Sequence, residues 1–255
     1  MAEEGADLIL IDLAGPIETI DYPMATLADL DNTVEMVVAA GGRSVSAVVD
    51  VRDVPALEEA VRQGVEALGR LDVVVANAGV LNTPRPTWEL SESEWQTVIG
   101  VNLTGVWATL KATIPHMIAA GNAGSIIIIS SIAGDRGCPN VSPYVAAKHG
   151  VVGLARAAAN ELAGHRIRVN TVHPTNVRTP MIDNPASAMM FRPDMDNPTL
   201  DDGVAPLSRV NLMDLPWVSV DDVADTVIFL ASEESKFITG ASIPVDAGSW
   251  AKWPG

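Results

Sequence analysis

The 255-residue sequence has little cysteine, few cationic side chains and no long apolar segment. Cys138 is its single cysteine, which excludes an internal disulfide and a cysteine-rich metal site and suits a reducing, cytoplasmic compartment. Lysine and arginine number 16 against 32 acidic residues, and the net charge of −16 argues against nucleic acid or an anionic membrane as a partner. No apolar run is long enough to span a bilayer, and no basic-then-apolar segment marks a signal peptide. These absences predict a cytoplasmic protein that binds neither nucleic acid nor membrane and holds no metal ion.

The sequence does contain a regular alternation of strand-like and helix-like segments. Four strand-like segments are continuous apolar runs, among them LDVVVA at 71–76 and SIIIIS at 125–130. Such runs are typical of parallel strands buried on both faces, and the repeated order predicts a doubly wound α/β fold. No repeat or linker divides the chain, so a single domain over residues 1–255 is expected. The predicted strands are 6–13, 44–49, 71–76, 125–130, 167–172 and 242–245; the predicted helices are 26–40, 55–68, 91–120, 145–162 and 219–231; residues 174–218 are expected to be irregular.

Three side chains form the strongest functional signal. Ser131 follows a strand expected to be buried, where the carboxyl ends of parallel strands bind ligands. Tyr144 and Lys148 stand four residues apart at a helix start, so the two side chains share one helix face. A neighbouring ammonium favours the phenolate and makes a tyrosine a usable acid or base. The pattern predicts acid–base chemistry. A serine hydrolase is the weaker interpretation, because no histidine and acid are placed with Ser131 and no GxSxG occurs.

Six motifs, in order, resemble those of the short-chain dehydrogenase/reductase family. Each motif is weak alone, whereas their order and spacing together are specific. The resemblance implies a Rossmann-like parallel sheet and an NAD-dependent oxidoreductase that interconverts a secondary alcohol and a ketone. The motifs are Asn77-Ala78-Gly79, VNLTG around Asn102, Ser130-Ser131, YVAAK at 144–148, RVNTVHPTNVRTP at 168–180 and TGASIPVDAG at 239–248.

The resemblance assigns four catalytic roles. Tyr144 would exchange the proton with the substrate oxygen, and Ser131 would orient that oxygen. Lys148 would lower the pKa of Tyr144 and hold the nicotinamide ribose. Asn102 would hold a water molecule that relays protons to Lys148; a buried Asn102 that only ties two helices together is the structural alternative.

The cofactor contacts begin at Asp12, which ends the first strand-like segment. An acidic side chain there accepts hydrogen bonds from the adenosine ribose and repels a 2′-phosphate, so it favours NAD over NADP. A turn-capping role for Asp12 is the alternative. The further contacts that the resemblance implies are Asp50 and Val51 at the adenine, Asn77, Ala78 and Gly79 in the turn beside the ribose, and Pro174, Val177 and Thr179 near the nicotinamide, together with Tyr144 and Lys148.

Two segments resemble a narrower group, the mycofactocin-coupled, carveol dehydrogenase-like enzymes of actinobacteria. They are IDLAGPIETIDYPMATLADL, which makes a long connection after the first strand, and VHPTNVRTPMI. The likeness implies tightly held NAD, the redox peptide mycofactocin as a partner and a small apolar, terpenoid-like substrate. The substrate loop, about 175–218, is rich in methionine, which suits either an adaptable lid or simple packing. The family also implies a homo-oligomer, a dimer or tetramer.

One expected motif does not occur. A dinucleotide fold places a strand, a Gly-rich turn and a helix about 20 residues before an acid such as Asp12, but only 11 residues precede it and no TGxxxGxG occurs. The residues from Met1 to Gly5 are expected to be the last turn of that helix. We therefore expect an N-terminally truncated fold without its first strand, phosphate-binding loop and most of its first helix, with roughly 25 to 30 residues upstream. The chain as given is expected to bind NAD weakly.

This absence keeps a second function open. A non-catalytic scaffold or subunit of the same fold would have no need of the phosphate-binding loop. The complete set of Ser131, Tyr144, Lys148 and Asn102 opposes that alternative.

Overall fold

The computed structural model describes residues 1–253 and confirms the α/β, Rossmann-like class. All strand pairs are parallel, and helices connect successive strands. The strands are β1 (Leu8–Asp12), β2 (Ser44–Val48), β3 (Val73–Ala76), β4 (Gly124–Ile129), β5 (Ile167–Pro174) and β6 (Ser242–Val245). The helices are α1 (Leu27–Ala39), α2 (Val54–Leu68), α3 (Glu92–Ile99), α4 (Gly105–Ala120), α5 (Ser142–Leu162), α6 (Pro185–Phe191), α7 (Val204–Ser208) and α8 (Val220–Ala231).

The strands form two separate sheets rather than one. β1 pairs with β2, while β3, β4, β5 and β6 form a four-stranded sheet in that order. Within residues 1–253, β1 and β3 each have one edge to which no strand is hydrogen-bonded. Helix α2 packs on β1 and β2, α4 packs on β3, and α2 packs on α4, so a shared helical layer joins the two sheets.

The split changes the burial of the apolar strands. Ile126, Ile127 and Ile128 of β4 are fully buried, as their continuous apolar run predicts. In contrast, every residue of β1 is at least partly exposed, and Val75 of β3 is 38% exposed. The expectation of burial on both faces is therefore wrong for these two strands, because each has a neighbouring strand on one side alone.

The core on the catalytic side of the larger sheet is built from α4 and α5. Val106 and Leu110 of α4 and Val151 and Ala155 of α5 pack against β3, β4 and β5. On the other face, α8 places Val227 and Leu230 against β4 and β5. These contacts hold the carboxyl ends of β4 and β5 and the first turn of α5 in fixed relation.

The predicted helix over 91–120 is wrong as one regular element. Ser91 and Glu94 do form a capping box, but the helix ends at Ile99 and a π-helical turn, Gly100–Thr104, follows before α4. A Cβ at Gly100 would lie 3.2 Å from Cδ of Arg52, so the glycine admits a close approach at the start of this turn. A π turn inserts one residue into a helix and is frequent at functional sites.

Other predicted boundaries shift for local reasons. Residues 174–218 contain α6 and α7 and are therefore not wholly irregular; Asn184 caps α6 by accepting a hydrogen bond from Ser187 N. Helix α5 begins at Ser142, three residues before the predicted start, with Pro143 in its first turn. The residues before β1 form a short 3-10 turn that Gly5 ends in a left-handed conformation (φ 86°), as expected for the end of a helix. Within the described part of the chain, no helix has the length and hydropathy to cross a membrane.

Candidate active site

The structure brings Ser131, Tyr144, Lys148 and Asn102 together. Ser131 follows β4 and caps a 3-10 turn, Ile132–Gly134, by accepting a hydrogen bond from Ala133 N (3.1 Å). This turn packs on α5, whose first two turns carry Tyr144 and Lys148. The end of β4 thus sets the position of the serine relative to the tyrosine and the lysine.

Lys148 is buried, with 4% of its surface exposed. Its Nζ donates to the carbonyl oxygen of Ile129 (2.7 Å) and lies 5.4 Å from the centre of the Tyr144 ring. Burial lowers the pKa of Lys148 to about 8, because an ammonium loses its hydration there. An ammonium has three N–H donors, and the others remain available to a ligand at this place.

Tyr144 has a higher pKa than expected. Burial raises the pKa of Tyr144 to about 12, whereas the Ser131 side chain lowers it and the neighbouring Tyr22 and Cys138 raise it. The predicted lowering by Lys148 is not seen, since the ammonium lies over the ring. In this state burial has a larger effect on the pKa of Tyr144 than the Lys148 charge, and the neutral phenol predominates near neutral pH.

Asn102 lies in the π turn and is fully buried. Its Oδ1 accepts from Val80 N (2.8 Å), and its Nδ2 donates to Val80 O (2.7 Å). The side chain therefore ties the π turn to the loop after β3, which is close to the structural alternative of a buried tying residue. The predicted water relay through Asn102 stays a prediction.

Gly79, in the turn predicted to lie beside the ribose, comes close to two of the predicted catalytic residues. A Cβ at Gly79 would lie 3.5 Å from Asn102 Oδ1 and 3.7 Å from Lys148 Nζ. Asn77 and Ala78, the preceding residues of the turn, are exposed. A ligand that lies along this turn can reach Lys148 without meeting a side chain at position 79.

The predicted adenine-side residues surround the ends of β1 and β2. Asp12 is exposed, and its Oδ1 accepts from Ala14 N (2.7 Å), so it caps the turn with one oxygen and keeps the other free. Asp50 is paired with Arg52, whose Nε lies 2.9 Å from both carboxylate oxygens; this hydrogen bond holds the pKa of Asp50 below its usual range. Val51 packs on Gly105, where a Cβ would lie 2.5 Å from Val51 Cγ2.

The nicotinamide-side residues follow β5. Pro174 is buried as the last residue of that strand, and Val177 forms an isolated bridge with Val218. The carbonyl oxygen of Thr179 accepts from Ile182 N (2.9 Å) and Asp183 N (2.8 Å), which turns the chain toward α6. The structure thus places these three positions at the start of the substrate loop.

Arg178 stabilises that loop internally. Its guanidinium pairs with Asp183 (2.9 Å) and Asp201 (2.8 Å) and lies 5.1 Å from the centre of the Trp217 ring. These contacts join the beginning, middle and end of the substrate loop.

The long segment between β1 and α1 supplies a contact that sequence reasoning missed. Tyr22 packs in the same cluster as Tyr144, and its hydroxyl accepts from Leu81 N (3.0 Å). Ile17 and Ile20 anchor the segment in that cluster. The chain has two tyrosines, and this small number is the sequence signal that could have drawn attention to Tyr22. A small cavity of about 10 Å³ lies between the segment and the substrate loop; its lining includes Tyr22, Leu81, Asn82, Met181, Asn184 and Ala186.

A buried histidine also lies behind Ser131, contrary to the expectation that no histidine and acid accompany it. His173 Nδ1 is 2.7 Å from Asp135 Oδ2, and His173 Nε2 is 2.7 Å from Thr171 Oγ1. Both ring nitrogens are therefore engaged away from the Ser131 hydroxyl. A hydrolase triad needs one ring nitrogen at the nucleophile, so the site lacks that arrangement although the residue types are present.

The donor set suits the ribose hydroxyls of a nicotinamide dinucleotide. Among residues 1–253, no group of three histidine, cysteine or acidic side chains is placed to hold a metal. Lys148 offers unused N–H donors beside a turn that is open at Gly79, and Asp12 offers an unused carboxylate oxygen at the end of β1. These are donors and acceptors for ribose hydroxyls.

Comparisons with known proteins identify the family of this chain. A family model described as enoyl-(acyl carrier protein) reductase matches residues 1–249. A (−)-trans-carveol dehydrogenase from Rhodococcus erythropolis is 46% identical over 252 residues, which are 99% of this chain and 91% of that protein. A carveol dehydrogenase from Mycobacterium avium, solved in complex with NAD, is 49% identical with a TM-score of 0.97, over 98% of this chain and 91% of the other.

A second solved relative, a short-chain dehydrogenase from Mycobacterium paratuberculosis bound to NAD, is 43% identical with a TM-score of 0.89 over 98% of this chain and 91% of the other. Because the matches run over nearly all of this chain, they do not by themselves support the expected truncation. The ordered motifs, the converging site and these matches lead to one assignment: the chain belongs to the short-chain dehydrogenase/reductase family and is an oxidoreductase of that family.

Proposed function

We propose that the protein is an NAD-dependent dehydrogenase that interconverts a secondary alcohol and a ketone on a small, apolar, terpenoid-like substrate. The observation that carries the proposal is the convergence of Ser131, Tyr144 and Lys148 at the carboxyl end of β4, beside the open turn at Gly79. Relatives 46–49% identical are named carveol dehydrogenases, and one is solved with NAD. They favour catalysis over the alternative of a non-catalytic scaffold.

The chemistry divides between the residues as follows. NAD, when bound, supplies the acceptor for the hydride that leaves the carbinol carbon. Tyr144 takes the hydroxyl proton of the alcohol as the C=O bond forms, and gives it back in the reverse direction. Ser131 holds the substrate oxygen at the phenol. Lys148 stabilises the phenolate by its charge and holds the ribose through N–H donors beyond the one given to Ile129 O.

The proton exchange requires a change in the environment of Tyr144. A phenol with a pKa of about 12 is a weak source of phenolate near neutral pH. Movement of the Lys148 ammonium from above the ring toward the hydroxyl would lower that pKa, because an opposite charge favours the phenolate. We propose that ribose binding draws Lys148 into that position.

The cofactor contacts follow from the same arrangement. Asp12 holds the adenosine ribose and disfavours NADP, Asp50 and Val51 flank the adenine, and Asn77, Ala78 and Gly79 lie along the ribose. Pro174, Val177 and Thr179 border the nicotinamide. Support comes from the positions of these residues at the ends of β1, β2, β3 and β5, since ligands of such sheets bind at the carboxyl ends of the strands.

We place the apolar substrate between the β1–α1 segment and the substrate loop, where the cavity of about 10 Å³ has to widen to admit it. Tyr22, Leu81, Met181 and Ala186 supply apolar lining, and Arg178 holds the loop together. The methionines of this loop suit a surface that adapts to a compact hydrocarbon.

A redox peptide of the mycofactocin type and a homo-oligomer are further parts of the proposal, as is a cytoplasmic location. The oligomer is supported by Trp95 and Trp107, which are 37% and 45% exposed on α3 and α4. Exposed aromatic residues on neighbouring helices are typical of subunit interfaces.

The division of the sheet bears on how firmly the 255-residue chain holds NAD. β1 and β3 each carry an unpaired edge within the described residues, and unpaired strand edges leave backbone groups without partners. No TGxxxGxG turn occurs in the sequence, so we propose that this chain binds NAD weakly. Tight binding of NAD in calorimetry would contradict this part.

The function itself is tested by turnover. The protein should reduce NAD with carveol or cyclohexanol as the alcohol, read as NADH absorbance in single-turnover and steady-state assays. Tyr144→Phe should lower kcat by more than about 100-fold, since acid–base catalysis contributes that much or more, while circular dichroism and NAD binding stay unchanged. Full turnover by Tyr144→Phe would refute the acid–base role, and absence of turnover with every secondary alcohol would refute the function.

A further inference from the structure

The turn that follows Ser131 is held from behind by a buried pair. Ser131 O accepts from Gly134 N (2.9 Å), Ile132 O accepts from Asp135 N (3.2 Å), and Asp135 therefore ends the turn that Ser131 begins. The carboxylate of Asp135 then reaches His173 on β5 at 2.7 Å. One end of this short turn presents the serine hydroxyl, and the other end is fixed to the neighbouring strand.

The two facing atoms of the pair make no other contact of this kind. Within the described residues, His173 Nδ1 and Asp135 Oδ2 are both buried and lie 2.7 Å apart, but they are not aligned as a hydrogen bond with each other or with another group. Burial lowers the pKa of His173, although the charge of Asp135 and the backbone of Ser131 act in the opposite direction. The neutral ring has one N–H. That proton belongs on Nδ1, facing the carboxylate, and Nε2 then accepts from the Thr171 hydroxyl.

The surroundings leave little freedom to this arrangement. A Cβ at Gly134 would lie 2.5 Å from Ser130 Oγ and 3.0 Å from Lys148 O, so the turn is pressed against α5. The Trp250 ring lies nearly parallel to that of His173, with centroids 6.3 Å apart. Arg136, the next residue after Asp135, donates to Trp250 O (2.7 Å).

We propose that His173 and Asp135 are positioning residues for Ser131: the Nδ1–H of His173 fixes the end of the turn and thereby the place of the serine hydroxyl relative to Tyr144. The inference rests on the proposed function, because it concerns the same reaction. His173 touches neither substrate nor cofactor in this assignment. Its loss should lower the rate of chemistry and leave nucleotide binding unchanged, because displacements of about 1 Å in a catalytic group can cost up to about 100-fold in rate.

The experiment compares three variants of the protein with wild type. His173→Phe keeps a ring against Trp250 but removes both nitrogens. His173→Asn places an amide N–H where Nδ1 stands. His165→Phe introduces the same histidine-to-phenylalanine change at an exposed position after α5 and is the matched control.

We expect His173→Phe to lower kcat by about 10- to 100-fold with the KM for NAD unchanged, His173→Asn to recover kcat to within about 3-fold of wild type, and His165→Phe to match wild type. A long-range ¹H–¹⁵N spectrum should show the Nδ1–H tautomer at His173. Wild-type kcat in His173→Phe, an equal loss in His173→Asn, or an Nε2–H tautomer would each overturn the proposal. If the wild-type protein turns over no alcohol but shows the Nδ1–H tautomer, the proposed function is refuted instead. The tautomer would still be evidence for the contact between His173 and Asp135.

Discussion

The burial of Lys148 should destabilise the protein near neutral pH. An exposed lysine has a pKa of 10.5, and burial lowers that of Lys148 to about 8. Each pH unit of difference corresponds to about 1.4 kcal/mol, so keeping the ammonium buried at pH 7 costs roughly 3 kcal/mol of folding free energy. Only 4% of the residue is exposed, so solvent screens this effect little.

The sign of the pH dependence follows from proton binding. Between about pH 8 and pH 10.5 the unfolded chain holds a proton at position 148 that the folded protein releases, so stability rises with pH in this window. From pH 7 to pH 9.5 the gain is about 2 kcal/mol. Tyr144, whose pKa is raised from 10.0, acts in the opposite direction above about pH 10, which is outside this range.

Lys148→Met tests this reasoning because methionine keeps an unbranched side chain without a charge. The variant also leaves Ile129 O without its donor, which costs about 1–3 kcal/mol, so the two proteins should differ little at pH 7. The measurement is urea unfolding of the NAD-free protein at several pH values. Wild type should gain about 2 kcal/mol relative to Lys148→Met between pH 7 and pH 9.5. Parallel pH profiles within about 0.5 kcal/mol would refute the buried-ammonium argument.

Three further predictions concern other contacts. Gly105→Ala should cost about 1–3 kcal/mol of unfolding free energy and raise the KM for NAD, because its Cβ would lie 2.5 Å from Val51 Cγ2. The control Gly153→Ala in α5, where an added Cβ meets no atom within 4 Å, should stabilise the protein by up to about 1 kcal/mol. Equal shifts in melting temperature for the two variants would contradict the packing. Asp12→Ser should raise the KM for NAD and lower that for NADP, since it removes the charge that opposes a 2′-phosphate, and an unchanged ratio of the two KM values would count against the assignment. Arg178→Gln should raise the KM for the alcohol and lower the melting temperature only slightly, because exposed ion pairs contribute at most about 1 kcal/mol each. A large fall in stability without a change in KM would contradict a role of Arg178 in shaping the substrate loop.

The parts of the molecule that the sequence predicted are those encoded by local spacing. The Tyr144–Lys148 pair shares a helix face because of its four-residue interval, and the capping residues Ser91 and Thr26 begin helices where their patterns indicate. The apolar run of β4 is buried as expected. Each of these features depends on neighbours in the chain.

The features that sequence reasoning missed depend on distant partners. The break at Gly100 is accompanied by Arg52 and by the double hydrogen bond of Asn102 with Val80, none of which is visible in the periodicity of residues 91–120. His173 and Asp135 are separated along the chain and meet because β5 pairs with β4. The pKa of Tyr144 likewise reflects its burial first, and then the Ser131 side chain and the electrostatic effect of Tyr22 and Cys138, rather than the four-residue spacing to Lys148.

The π turn at Gly100–Thr104 makes the position of Asn102 depend on one inserted residue, whereas the course of the flanking helices does not depend on it. A π turn is one extra residue absorbed locally, so α3 and α4 keep the rotation about the helix axis that an unbroken helix would give them. Deleting a single codon here would leave two helices that still pack on α2 and α5, while Asn102 would leave Val80 and the wall behind Lys148. A lineage that loses this residue would keep the course of both helices, while the buried N–H and C=O of Val80 would lose the partners that Asn102 provides.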